Sequence, residues 1–316
     1  MHVNNVFAAE SLRYTKDKPN LLVRSNEIAD FSEIMDYCAR IQENLLYDEN
    51  NVFYEKIEEG IEFWEWLYGQ KGSGKEDDRR MLMEIFSKQK PAVNLWEDEN
   101  ARTINCGLGK ASAWVSDEKT YVNRRREILS EIQKPDEYEA FMHSCFLNSC
   151  FAPDILQGMK YIEDFSYHTE EITKNLAVLN DEALKLFLQY RNNLKEAERI
   201  LTSMLLECSD DPKHRDHLWF PFTYVELLDG ETVEREKEVL CEPHLKLIRR
   251  DSDLRIYFWW CDDKIGERLP IGIENFEEFS AENFYYVDKT MFIAEFCKIG
   301  EMVWYKKVDS LFSRIS

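Results

Sequence analysis

The chain has 316 residues, 44% of them hydrophobic and 13% aromatic, which supplies one large or two ordinary cores and excludes a disordered chain. Its 61 acidic residues against 40 basic ones give a formal net charge of −21. A field of that sign repels phosphate backbones over a Debye length of about 8 Å, so broad nucleic-acid binding is disfavoured and a protein partner or self-association fits better.

Residues 1–9 carry no cationic start and no apolar run of signal length. No stretch reaches the roughly 18 apolar residues of a membrane span. The eight scattered cysteines then read as free thiols of a reducing compartment, and the expected location is cytoplasmic.

In chain order, residues 25–68 read as helical. Ser25 or Asn26 caps a stripe of Ile28, Phe31, Ile34, Met35 and Cys38, and a second stripe runs Phe53, Ile57, Ile61, Trp64 and Tyr68 to a stop at Gly69. A polar loop follows, then a short helix over 79–88. Residues 92–120 show no clean period. Helices resume from Tyr121, with Arg124, Arg125 and Arg126 expected on an exposed helix start, and again from Pro153. The spacing predicts a long helix over 181–207. Phe187, Leu194 and Leu201 fall seven apart, as do Tyr190, Ala197 and Met204, giving a bundle helix or a self-association seam.

The composition turns polar and charged over Cys208 to His217, and after it the period changes from 3.6 to 2. Asp229-Gly230 between two alternating runs predicts a hairpin over 222–240, and residues 244–249 and 254–260 predict a second strand pair. In the last strand Leu254, Ile256, Phe258 and Trp260 share one face, and Arg255, Tyr257 and Trp259 the other. The expected class is α+β, mainly α. A helical body (1–209) is followed by a small antiparallel β meander (210–268) and a short mixed tail (269–316).

Four places carry residue types with chemical potential. The run GQKGSGK at 69–75 has the spacing of a phosphate-cradling loop, but a helix leads in and Glu76 stands where a magnesium-holding hydroxyl belongs, so a plain Gly/Lys loop is expected. His143, Cys145 and Cys150 lack the second ligand pair of a zinc site and read as helix residues burying small side chains. Cys208, Asp210, Asp211, His214, Asp216 and His217 crowd a helix-to-sheet boundary, where either a solvated linker or a hydrolytic site is conceivable. Glu242, His244 and Lys246 alternate on one strand face beside Arg255 and Tyr257. That group suits metal-independent RNA cleavage, with an ordinary solvent-facing sheet surface as the alternative. The candidate catalytic residues are therefore His214, His217, Glu242, His244 and Arg255. No cofactor or metal is expected.

The segment LPIGIENFEEF (269–279), followed by NFYYVDKT (283–290) and apolar Phe292 and Ile293, resembles the lead-in of the bacterial AAA-ATPase-like family, many of whose members end in a PD-(D/E)XK nuclease-like region. The resemblance implies a strand and a phosphate loop shortly downstream. Residues 297–316 contain no Gly-Lys-Ser, so no ATPase residue is carried over. In the family this lead-in opens the protein, which points to a fusion or a truncated reading frame. The expectation is a non-catalytic binding or interaction protein, with a small nuclease or toxin-like effector as the alternative.

Overall fold

A computed structural model of the chain describes residues 3–91, 101–151, 155–205, 207–210, 219–228, 231–240, 242–247, 254–260, 269–275, 296–298 and 301–303. Two compact units divide the chain, Met1–Ile128 and Leu129–Ser316.

The first unit contains β1 (Val3–Phe7), α1 (Ser25–Arg40), β2 (Leu45–Tyr47), α2 (Glu49–Val52), β3 (Lys56–Glu58), β4 (Ile61–Glu62), α3 (Phe63–Leu67), α4 (Glu76–Lys88), β5 (Lys90–Pro91), β6 (Arg102–Cys106) and α5 (Glu118–Ser130), whose last two residues pass the boundary. A four-stranded sheet runs in the order β5-β2-β1-β6, all neighbours parallel. The fold therefore combines helices with sheets, as expected, but the parallel sheet in an expected helical body is a correction. Its strands are two to five residues long, and β1 reads VNNVF, too short and too rich in Asn to announce a period.

Val3, Asn5 and Phe7 are buried on one face of β1. Phe7 meets Phe31 of α1 and Phe86 of α4 edge-on at 5.2 and 5.1 Å, and the Tyr121 hydroxyl of α5 donates to Asn5 Oδ1 at 2.9 Å. Helices α1, α4 and α5 thus cover this face. The expected helical stripe of α1 holds, with Ile28, Phe31 and Ile34 fully buried. The expected stripe over 53–68 does not form one helix. Gly60, at φ +72°, turns β3 into antiparallel β4, and only residues 63–67 are helical.

Arg125, expected at the surface, is wholly buried, and Arg126 is nearly so. Arg125 donates both Nη groups to the Glu43 carboxylate, at 2.7 and 2.8 Å, and one of them to the Tyr121 hydroxyl at 3.0 Å. Asn5 Nδ2 donates to the same carboxylate at 2.8 Å. The cation is buried because a fork-shaped partner waits for it.

The second unit contains α6 (Pro135–Met142), β7 (Ser149–Phe151), α7 (Ile155–Lys160), α8 (Thr169–Val178), a π-helical turn (Leu179–Ala183), α9 (Leu184–Gln189), α10 (Leu194–Met204), β8 (Cys208–Asp210), β9 (Trp219–Leu228), β10 (Glu231–Leu240), β11 (Pro243–Lys246), β12 (Leu254–Phe258), β13 (Leu269–Asn275), β14 (Phe296–Lys298) and β15 (Glu301–Val303). The expected long helix over 181–207 is broken. Tyr190 leaves helical geometry, and Asn193 (φ −151°) starts α10 afresh. Phe187 of the expected seam stacks on Trp260, centroids 6.2 Å apart, while Ala197 and Leu201 are buried.

Strands β9 and β10 form the expected antiparallel hairpin with Leu228 opposite Glu231, in a two-stranded sheet of their own. Pro221 sits there on a strand with one partner among the described residues, where a missing N–H is tolerated. The expected single meander is thereby corrected. β11 and β12 belong to a separate five-stranded sheet, β7-β13-β12-β11-β8, antiparallel except where β13 runs parallel to β7. Among the described residues no helix is long and apolar enough to cross a membrane.

Candidate functional site

Strands β1, β2 and β6 point their carboxyl ends the same way, and the chain leaves β1 by a 3-10 turn over Ala9–Leu12. A crevice of about 390 Å³ opens there. Its apolar floor is Val6, Phe7, Ala8, Ala9 and Val52, and its polar rim is Glu10, Arg13, Asp48, Asn51, Glu55 and Asn105. Local chemistry positions each rim residue. Asp48 follows β2 and caps α2, accepting from Asn50 N at 3.0 Å and Asn51 Nδ2 at 2.8 Å. Glu55 accepts Arg13 Nε and Nη2 at 2.9 and 3.0 Å, a two-pronged pair. Hydrogen bonding to Glu55, helped by the charges of Glu55 and Glu10, raises the Arg13 pKa above its ordinary value.

Buried Arg24 braces the loops behind the crevice. It donates to the carbonyls of Ser11 (2.6 Å) and Leu12 (3.1 Å) after β1, and of Leu108 (3.4 Å) after β6, while Glu27 balances its charge at 2.6 Å. Ala8 N donates to Cys106 O at 2.8 Å, joining the two exits directly. None of these residues was singled out from the sequence. The usable signal was weak: a β-strand pattern of five residues, followed by small residues and a charged turn.

The expected sites distribute as follows. His214 and His217, with Asp211 and Asp216, lie outside the described residues. Cys208 and Asp210, expected in a loop, are instead in β8, which pairs with β11. Glu242 lies just before β11 rather than on it, while His244 and Arg255 lie on neighbouring strands, with His244 opposite Tyr257 and Lys246 opposite Arg255. The imidazole of His244 lies 5.3 Å from the Tyr257 ring and 3.5 Å from Ser209 Oγ, and Arg255 Nη1 donates to the Tyr257 hydroxyl at 3.1 Å. His244 is 4% exposed and Tyr257 fully buried, so this face is not the solvent-facing surface allowed from the sequence. The opposite face meets α10, where Lys195 bridges Glu198 and Asp210. Burial, with Asp210 close by, holds the Glu198 carboxyl above its usual range.

His143 ends α6 and Cys150 belongs to β7, so the three do not share one helix as expected. Among the described residues no group of His, Cys, Asp or Glu has the geometry to hold a metal ion. The 69–75 loop folds around a carboxylate of the chain itself. Ser73 donates from N (2.9 Å) and Oγ (3.1 Å) to Glu58, and Trp66 Nε1 donates to Ser73 O at 2.6 Å. Its donors are turned on Glu58, and Lys71 pairs with Glu65.

Against this geometry stands one comparison. Residues 270–307 match the family described as predicted AAA-ATPase, and the match begins inside β13. No curated protein and no solved structure matches the chain.

Proposed function

We propose that the chain is a non-catalytic binding protein whose recognition site is the crevice of the first unit. The position of that crevice carries the reading. In the order β5-β2-β1-β6 the sequence steps outward from β1 to one side and then crosses to the other, so the winding reverses at the β1–β6 pair. The crevice lies beyond the carboxyl ends of β1 and β2, which is where open parallel sheets bind their ligands. A volume of about 390 Å³ falls in the range of small-molecule sites. Two pairs of its polar groups, Arg13 with Glu55 and Asn51 with Asp48, hold one another in place, which limits the ordering cost of binding.

Two measurements on the full chain test the reading. Titration of a small-molecule fragment set, followed by amide and side-chain NMR, is expected to move the Asn51 and Asn105 signals first. Incubation with magnesium and ATP is expected to release phosphate only at the background rate. Magnesium-dependent turnover, or degradation of RNA or DNA that is lost in His244→Ala, would replace binding with catalysis as the function.

A further inference from the structure

We infer that the outward face of α3 docks a lysine- or arginine-bearing segment of a partner protein. Trp64 and Tyr68 stand one helical turn apart, with Tyr68 N donating to Trp64 O at 2.9 Å, so their side chains leave α3 on the same side. They are 42% and 55% exposed. The half-buried Phe53 continues the patch. Its ring lies 6.2 Å from that of Tyr68, and its carbonyl accepts from Trp64 N at 3.0 Å. A large ring exposed singly is ordinary, whereas neighbouring exposed rings joined to a third mark a contact surface. None of the three lines the crevice.

A carboxylate at the edge of this patch selects the partner. Trp64 Nε1 donates to Glu62 Oε2 at 2.7 Å, which holds the indole in one orientation and keeps a negative charge beside it. A ring already held gives up little freedom on binding. Among the described residues Glu62 has no cationic partner. A cation seated on the exposed indole therefore meets the ring face and the carboxylate together.

The surrounding chain carries the same sign. From Asp48 to Glu65 seven acidic residues stand against Lys56 within the segment and against Arg13 and Lys71, which pair with Glu55 and Glu65 from outside it. Two copies of this face would bring like charges together, and a phosphate-bearing surface would meet repulsion. A basic segment instead brings its charged ends to the carboxylates and lays their aliphatic stems on the rings.

Fluorescence anisotropy of labelled decalysine titrated with the full chain at about 0.15 M salt, beside labelled decaglutamate, tests the inference. Decalysine is expected to bind and decaglutamate to stay free. A net charge of −21 attracts any polycation, so the deciding variants leave the charge unchanged. Trp64→Ala with Tyr68→Ala is expected to weaken decalysine binding roughly tenfold, and Trp64→Leu, which keeps apolar bulk without a ring face, to lose most of what Trp64→Ala loses. Both side chains are exposed, and an unchanged melting temperature checks that the fold survives. If it does not, Glu62→Gln decides: it is expected to weaken binding more than Asp30→Asn, the same change of charge at an exposed position of α1. Decalysine that stays free overturns the inference. Binding as tight in the ring variants as in the native chain, or weakened equally by Glu62→Gln and Asp30→Asn, belongs to the general field and overturns it too. A dimer seen by sedimentation and abolished by Trp64→Ala makes a second copy the occupant and overturns the basic partner.

Discussion

At the scale of single residues, the buried guanidinium of Arg125 is the most consequential group outside the crevice. Its two-pronged bond to Glu43 is joined by Asn5 and Tyr121, so one carboxylate terminates donors from β1 and α5. Removing one member of a buried pair strands the other, which typically costs 3–5 kcal/mol. Glu43 keeps 26% of its side chain in water, which places Arg125→Ala near the low end, about 3 kcal/mol by urea denaturation. The double variant Arg125→Met with Glu43→Leu should lose less than Arg125→Ala alone, since it leaves no charge behind. Cys38 gives a second residue-scale expectation. Burial pushes its thiol from 9.0 up to about 11, with the Tyr121 hydroxyl 3.4 Å away. A thiol that ionises later in the folded than in the unfolded chain contributes stability that is whole below pH 9 and is lost as pH rises toward 11. Peptide mapping after iodoacetamide treatment at pH 8 should find Cys38 unlabelled in the native protein and labelled in urea. Native labelling would show the α1–α5 packing to be open in solution.

Elements show where a sequence speaks and where it falls silent. Helix α1 was legible because Ile28, Phe31, Ile34, Met35 and Cys38 keep one period over about three turns, and all five are buried. The β9–β10 pair was legible because Asp-Gly admits few other backbones. The parallel sheet was not, since β2 and β5 span only three and two residues and draw their stability from partners distant in the chain. The candidate crevice stayed hidden for the same reason: its rim residues come from 10, 13, 48, 51, 55 and 105, and only strand order brings them together. Arg125 was misread because three consecutive arginines look solvated until Glu43 is placed opposite the middle one. The 69–75 loop owes its close packing to its glycines. A Cβ on Gly74, at φ +154°, would stand 2.8 Å from the Trp66 ring, and one on Gly72 2.7 Å from Glu58. Gly60 is also at positive φ but has open space around it. Gly74→Ala should therefore lower stability by about 1–3 kcal/mol, and Gly60→Ala by no more than the roughly 1–2 kcal/mol of backbone strain alone. Equal losses by thermal or urea unfolding would mean that Trp66 swings aside and the loop does not depend on it.

For the whole molecule, charge is the dominant variable. Ion pairs of the surface kind are present on many helices, such as Arg124 with Glu127 and Lys134 with Glu137, but exposed pairs are worth at most about 1 kcal/mol each. Against them stands a net charge of −21, whose self-repulsion acts through solvent across the entire surface. Salt weakens both, and the two effects oppose each other in sign. Screening the pairs destabilises the fold, while screening the excess carboxylates stabilises it. Between 0.01 and 0.15 M salt the Debye length falls from about 30 to 8 Å, which removes mainly the long-range part. Paired charges sit closer than that, for example 2.8 Å between Arg124 and Glu127, and are affected least. The melting temperature of the full chain should therefore rise over this interval, by about 2–4 °C for each kcal/mol of repulsion removed. A melting temperature that falls with added salt would assign the balance to the local pairs.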